Sequence, residues 1–112
     1  MTRTTIPLTG SMTALATPFQ DGPLDQMGFV HLCQRQIARG TAALVVCGST
    51  GEAASLQLEE YATLIRLAAV TAKGRVPVIA GCGGPSTEAA ATAAALAAKS
   101  GASALLCAPT PY

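Results

Sequence analysis

Tryptophan is missing from this 112-residue chain, and the other aromatics amount to two Tyr and two Phe. That scarcity argues against base-stacking platforms and aromatic cages. Charge is scarce as well: 12% of residues are charged, seven Lys plus Arg against six Asp plus Glu, for a net charge of +1. So even a balance gives no electrostatic reason to expect nucleic acid or an anionic membrane as partner. One histidine, His31, and four cysteines with no CxxC pair leave little for a metal to hold. Cys33, Cys47, Cys82 and Cys107 are widely spaced, three of them in or beside apolar runs. Buried cytosolic thiols are therefore expected, rather than a disulfide framework or a metal site. Long apolar runs are also lacking. The stretch Ala89–Ala98 is broken by Thr92 and flanked by Glu88 and Lys99, well short of the ~20 residues of a membrane span. Met1 to Gly10 holds no apolar core of signal-peptide length, so a soluble, cytoplasmic chain is expected.

What is present is aliphatic. Half the residues are hydrophobic and the mean hydropathy is +0.42, an apolar surplus that something larger is expected to cover. The apolar pattern alternates short and long. Met12–Ala16 reads as a buried strand stopped at Thr17-Pro18. Asp25 is placed to cap a helix that carries Phe29, Leu32, Cys33 and Ile37 and stops at Gly40, with polar Gln36 on the same face. Ala42–Cys47 is a second strand, and residues from about Gln57 to Lys73 form a second helix with Leu58, Tyr61, Leu64, Ile65 and Ala68 on one side. Val76–Ala80 follows as a strand, Ser86 caps a third helix ending near Gly101, and Ala104–Ala108 is a fourth strand. Strands apolar on both faces, joined by crossover helices, mean a parallel sheet, either doubly wound or in barrel form. Regular units of about 30 residues, each strand leaving into a small polar loop, favour a (β/α)8 barrel. A whole barrel needs ~250 residues. The fold expected of residues 1–112 is thus a half-barrel, about the first four β/α units of a single domain.

Gly48-Ser49-Thr50-Gly51-Glu52 is the strongest local feature. Two adjacent hydroxyls at a strand tip, beside N–H groups that glycine leaves accessible, suit a carboxylate or phosphate. A turn of this composition can also be only a turn; its place in a βαβ series favours a site. Glu52 reads as an anchor for the loop, since nothing near it in sequence pairs with it. Gly81-Cys82-Gly83-Gly84 lacks the lysine of a P-loop and the spacing of a dinucleotide fingerprint, so it reads as a tight strand-to-helix turn and no cofactor is expected. His31 reads as a partly exposed helix residue rather than a catalytic one. Lys73 and Lys99 stand at helix ends beside Gly74 and Ser100-Gly101, where they complement the dipole and stay hydrated. Neither suits a Schiff base, which needs a desolvated amine.

From Gly10 to Tyr112 the chain resembles the N-terminal part of the dihydrodipicolinate synthase and N-acetylneuraminate lyase superfamily. The residues that carry the likeness are Thr13-Ala14-Leu15-Ala16-Thr17-Pro18-Phe19, Leu24-Asp25, Gly40-Thr41, Cys47-Gly48-Ser49-Thr50-Gly51-Glu52, Pro77-Val78-Ile79-Ala80-Gly81 and Thr110-Pro111-Tyr112. The resemblance implies a Schiff-base lyase on a barrel, condensing lysine-bound pyruvate with aspartate 4-semialdehyde in lysine and diaminopimelate biosynthesis. It implies that Thr50 holds the pyruvate carboxylate with Gly48 and Ser49 beside it, and that Ser49 takes the relay position usually held by threonine. Serine there also occurs among the neuraminate lyases, so a sugar-acid pyruvate aldolase is the alternative. For Tyr112 two registers stand. An ungapped count puts it on the relay tyrosine that reaches a neighbouring subunit, implying a homo-oligomer; the Thr-Pro-Tyr motif makes it the first of a tyrosine pair. The family's Schiff-base lysine has no counterpart here, so the 112 residues alone are expected to be inactive. A non-catalytic carboxylate-binding half-barrel, or an inactive truncated product, is the reading from another class.

Overall fold

The helices begin where local chemistry stops the chain from extending. The computed structural model describes residues 9–20, 22–48, 56–83 and 86–107. Helix α1 spans Gln26–Ala38, and the Asp25 carboxylate accepts the Gly28 N–H at 2.9 Å, satisfying one of the donors a first turn leaves open. Helix α2, Leu58–Ala72, starts with Glu59 and Glu60 in its first turn, and the Glu60 carboxylate accepts the Gln57 N–H at 3.0 Å. Helix α3, Thr87–Ser100, is capped by the Ser86 hydroxyl, which accepts from the Ala89 N–H at 3.1 Å. It ends on Gly101, whose φ of 115° places it in the left-handed region. These limits lie within a residue or two of those the sequence predicts.

Four short strands form one parallel sheet: β1 (Met12–Ala14), β2 (Ala43–Val46), β3 (Val78–Gly81) and β4 (Ala104–Leu106). Their spatial order is β1-β2-β3-β4, the order of the chain. A doubly wound sheet reverses direction at a switch point, and this order has none, so the sheet is wound in one sense as a barrel wall is. Strand β1 is shorter than the run to Ala16 that the sequence predicts, although the Leu15 N–H still reaches the Val45 carbonyl at 2.9 Å.

Alternation along the strands sorts the two faces of the sheet. Leu44 and Val46 of β2, with Val78 and Ala80 of β3, join Phe29 and Cys33 of α1 and Leu64, Ile65 and Ala68 of α2 in one buried cluster. Val45 and Ile79 stand outside that cluster, toward the opposite face. Strand β4 is less covered: Leu105 is 45% and Leu106 56% exposed, one on each face of an edge strand. The surplus apolar surface expected from composition lies partly there and partly on the helices, at Met27, Leu58 and Val70.

At the N-terminal ends of the first two strands, polar residues close the layer. The Thr13 hydroxyl lies 3.2 Å from Gln36 Oε1 and 3.0 Å from the Thr41 hydroxyl, which in turn lies 2.8 Å from the Ala43 carbonyl. Gln36, the one polar residue on the apolar side of α1, is thus satisfied by the sheet. In a barrel this end serves stability and the opposite end serves chemistry.

One expectation is overturned. Cys33 and Cys47 are free and buried, but Cys82 and Cys107 are joined in a disulfide, and Cys107 is exposed. The spacing of 25 residues conceals their proximity, because α3 returns the chain to the start of β4, which then runs parallel to β3 and ends beside its tip. Their Cα atoms are 5.2 Å apart, within the usual range for a bridge.

Candidate functional site

The C-terminal ends of β2, β3 and β4 lie side by side, and cysteine follows each of them directly: Cys47, Cys82 and Cys107. At β2 the chain turns sharply. Cys47 has φ of 60°, a left-handed conformation that costs a non-glycine residue roughly 1 kcal/mol. It is held because the thiol is buried and neighbouring strands fix the backbone on either side. Gly48 follows, and a Cβ built on it would meet only the Val45 side chain, at 3.8 Å, an ordinary contact. Close packing within the described residues therefore does not require glycine at 48.

Gly81 is the opposite case. A Cβ there would overlap the Cys47 carbonyl oxygen and lie 3.0 Å from the Gly48 Cα. The backbone at the tip of β3 is pressed directly against the turn that leads out of β2, and only glycine permits it. Below this contact Tyr61, buried on α2, donates its hydroxyl proton to the Gly81 carbonyl at 2.6 Å. Helix α2 thus holds the β3 tip, and the β3 tip supports the Cys47-Gly48 turn. Tyr61→Phe would leave that carbonyl without its buried donor. A loss of about 1–2 kcal/mol in chemical denaturation is expected with little change in helix content; an unchanged midpoint would show the bond to be dispensable.

Burial sets the titration of this region. Desolvation pushes the Cys33 and Cys47 thiols up to about 12. Tyr61 is pushed up to about 12 by desolvation first, with a further contribution from nearby Cys47. In each case the folded chain holds its proton more tightly than the unfolded chain does. The stability this supplies is complete below pH 9 and falls as pH rises from the unfolded thiol values toward 12. Denaturant midpoints measured from pH 8 to 11 should decline steadily above pH 9; a flat profile would contradict this burial. Neither free thiol is a nucleophile near neutrality.

Of the residues the sequence marks as a site, Gly48 lies at the tip of β2 as expected. Ser49, Thr50, Gly51, Glu52 and Tyr112 fall outside the described residues. His31 is exposed on α1, and Lys73 and Lys99 are exposed at the ends of α2 and α3, as their positions imply. Among the described residues, no group of His, Cys, Asp and Glu side chains could hold a metal ion. No helix there is long and apolar enough to cross a membrane. Tyr61 and Gly81 are the residues whose roles sequence reasoning missed. A lone aromatic hydroxyl on an apolar helix face, and a glycine ending an apolar strand, were the signals available.

Comparison with known proteins agrees with this architecture. The family model for the dihydrodipicolinate synthetase family matches residues 7–112. A 4-hydroxy-tetrahydrodipicolinate synthase of Maridesulfovibrio salexigens is 48% identical over 103 residues, which are 92% of this chain and 35% of that protein. The dihydrodipicolinate synthase of Aquifex aeolicus superposes with a TM-score of 0.88 at 40% identity, over 92% of this chain and 35% of that one. The chloride-inhibited enzyme of Acinetobacter baumannii, crystallised with pyruvate, gives 0.89 at 37% identity, over 95% of this chain and 36% of that one. The chain spans about a third of the length of these relatives, and its four strands correspond to the first half of their (β/α)8 barrel. Matched over nearly all its residues by one family model, the chain belongs to the dihydrodipicolinate synthetase family.

Proposed function

We propose that these residues are the N-terminal, carboxylate-holding part of a 4-hydroxy-tetrahydrodipicolinate synthase, within a single barrel domain that condenses lysine-bound pyruvate with aspartate 4-semialdehyde. The observation that carries this reading is the supported Cys47-Gly48 turn at the tip of β2, held by Gly81 and Tyr61 and followed in sequence by Ser49 and Thr50. Supporting it, two of the structurally similar family members were crystallised with pyruvate. Thr50 binds the pyruvate carboxylate through its hydroxyl and N–H, Gly48 lets that carboxylate approach, and Ser49 relays a proton between enamine and solvent. Tyr112, in one register, is the next member of that relay and reaches a second subunit of a homo-oligomer. The amine comes from outside these residues. Both lysines present are exposed at helix ends, outside any apolar pocket of the kind a Schiff-base amine needs. The enzyme acts in the cytoplasm and needs no metal or organic cofactor, because the iminium itself is the electron sink.

The test separates binding from chemistry. Titrated with pyruvate, the 112-residue chain should show saturable shifts of the Gly48 and Thr50 amide signals. Thr50→Val should weaken this at least about tenfold, the loss of one charge-assisted hydrogen bond. Borohydride added with pyruvate should leave the intact mass of the chain unchanged and increase that of a longer form carrying the complete barrel. A pyruvate adduct on Lys73 or Lys99, or no pyruvate-dependent shift at all, would remove this reading.

A further inference from the structure

We propose that Cys82 and Cys107 form a reversible thiol–disulfide site, at which exchange with a small dithiol locks or releases the tips of β3 and β4. The pairing follows from register. Gly81 lies opposite Leu106, so the next residues along, Cys82 and Cys107, are direct neighbours across two parallel strands. Cys47 holds the same place at the end of β2 but lies opposite Gly81, because Val46 pairs with Ala80. It has no sulfur across from it and stays a free, buried thiol. The strand positions are alike; register alone selects which two cysteines meet.

The two halves of the bridge differ in access. Cys82 is buried, with its N–H bonded to the Leu106 carbonyl at 3.1 Å, whereas Cys107 is exposed. An incoming thiolate is therefore expected to attack at the exposed residue, Cys107, rather than at buried Cys82. Attack forms a mixed disulfide on Cys107 and expels Cys82 as a thiolate, which takes up a proton. The second thiol of the reagent then attacks the mixed disulfide, closes the reagent's own disulfide and frees Cys107. Two electrons and two protons pass from the dithiol to the protein, and an oxidised dithiol reverses both steps. A cross-link with one exposed and one buried cysteine matches an exchangeable bridge better than a permanent staple.

The site sits where opening it matters. Cys82 adjoins Gly81, which supports the Cys47-Gly48 turn, and the chain runs on from Cys107 toward Tyr112. Oxidation holds the ends of β3 and β4 together beyond their last ladder pair; reduction leaves that junction to one backbone hydrogen bond.

The inference is tested without pyruvate, so it stands or falls apart from the carboxylate reading. The chain is equilibrated in buffers of stepped reduced-to-oxidised dithiothreitol ratio, pulsed with iodoacetamide under native conditions, and mapped by peptide mass. No cysteine should label in the oxidised chain. As the ratio rises, Cys107 should label first, at least about tenfold faster than Cys33, Cys47 and Cys82, and labelling should vanish when the ratio is returned. Amide exchange at Cys82 should quicken about tenfold on reduction. Cys82→Ser should leave Cys107 reactive at every ratio. Should that buried substitution prevent folding, Cys107→Ser, at an exposed position, should fold and show no dependence of Cys82 exchange on the ratio. Labelling of Cys107 in the oxidised chain, a bridge that resists every ratio until the chain unfolds, or Cys82 exchange indifferent to reduction would each overturn the proposal.

Discussion

Replacing Gly81 with alanine should unfold much of the chain, and replacing Gly48 with alanine should not. The added methyl at 81 would fall on the Cys47 carbonyl and close to the Gly48 Cα, both backbone atoms that no rotamer change can move. Relief requires β3 to separate from β2, which also withdraws the Gly81 carbonyl from Tyr61. Overpacking of side chains alone costs about 1–3 kcal/mol, and a clash with rigid backbone belongs at or above the upper end of that range. At Gly48 the same methyl meets one Val45 carbon at 3.8 Å and has no positive φ to disturb it. Thermal denaturation followed by circular dichroism compares the two variants directly. A Gly81→Ala protein as stable as the parent would mean that the β2 and β3 tips are further apart than described. Gly48→Ala carries a second expectation. If Gly48 is glycine so that a carboxylate can approach, the variant should keep its stability and bind pyruvate more weakly.

Phe29→Ala is the other change with a large expected effect. Phe29 is the bulkiest fully buried side chain, at the centre of the cluster between α1, α2 and the sheet. Truncation forfeits its transfer free energy and leaves a space that helices joined to a short-stranded sheet can only partly close, a cost of about 3–5 kcal/mol. Total stabilities of small domains are about 5–15 kcal/mol. The variant should therefore lose its cooperative transition or unfold near room temperature, whereas Met27→Ala, two residues away and exposed, should change the midpoint little. Equal midpoints for Phe29→Ala and the parent would contradict the placement of this core.

Much of the fold was legible from local signals. Asp25 and Ser86 begin their helices because a side-chain oxygen can satisfy an open N–H a few residues on, and Gly101 ends α3 because it takes a left-handed φ without strain. The rhythm of short apolar strands and longer amphipathic helices implied a parallel sheet for the reason it forms one: a strand buried on both faces cannot alternate polar with apolar. The likeness carried by Cys47-Gly48-Ser49-Thr50-Gly51-Glu52 and the other motifs pointed to the family that the whole-chain comparison shows. Lys73 and Lys99 also read correctly, since a lysine at a helix end is drawn to water by the dipole and by its own hydration.

The remainder depended on which residues face one another across strands, and no local propensity encodes that. Composition and spacing argued for four separate thiols, yet register placed Cys82 opposite Cys107 and Cys47 opposite Gly81. Tyr61 looked like one more apolar contact on α2 until the packing of that helix set its hydroxyl under the Gly81 carbonyl. The helix limits, the number and order of the strands, the parallel architecture and the family were set within the sequence, because these rest on interactions among near neighbours or on motifs. Strands β1 and β4, by contrast, end short of their apolar runs. Only the tertiary structure decided the cysteine pairing, the need for glycine at 81 and the support of the β2 turn. Each is a contact between segments at least 20 residues apart, fixed by strand register and helix docking together.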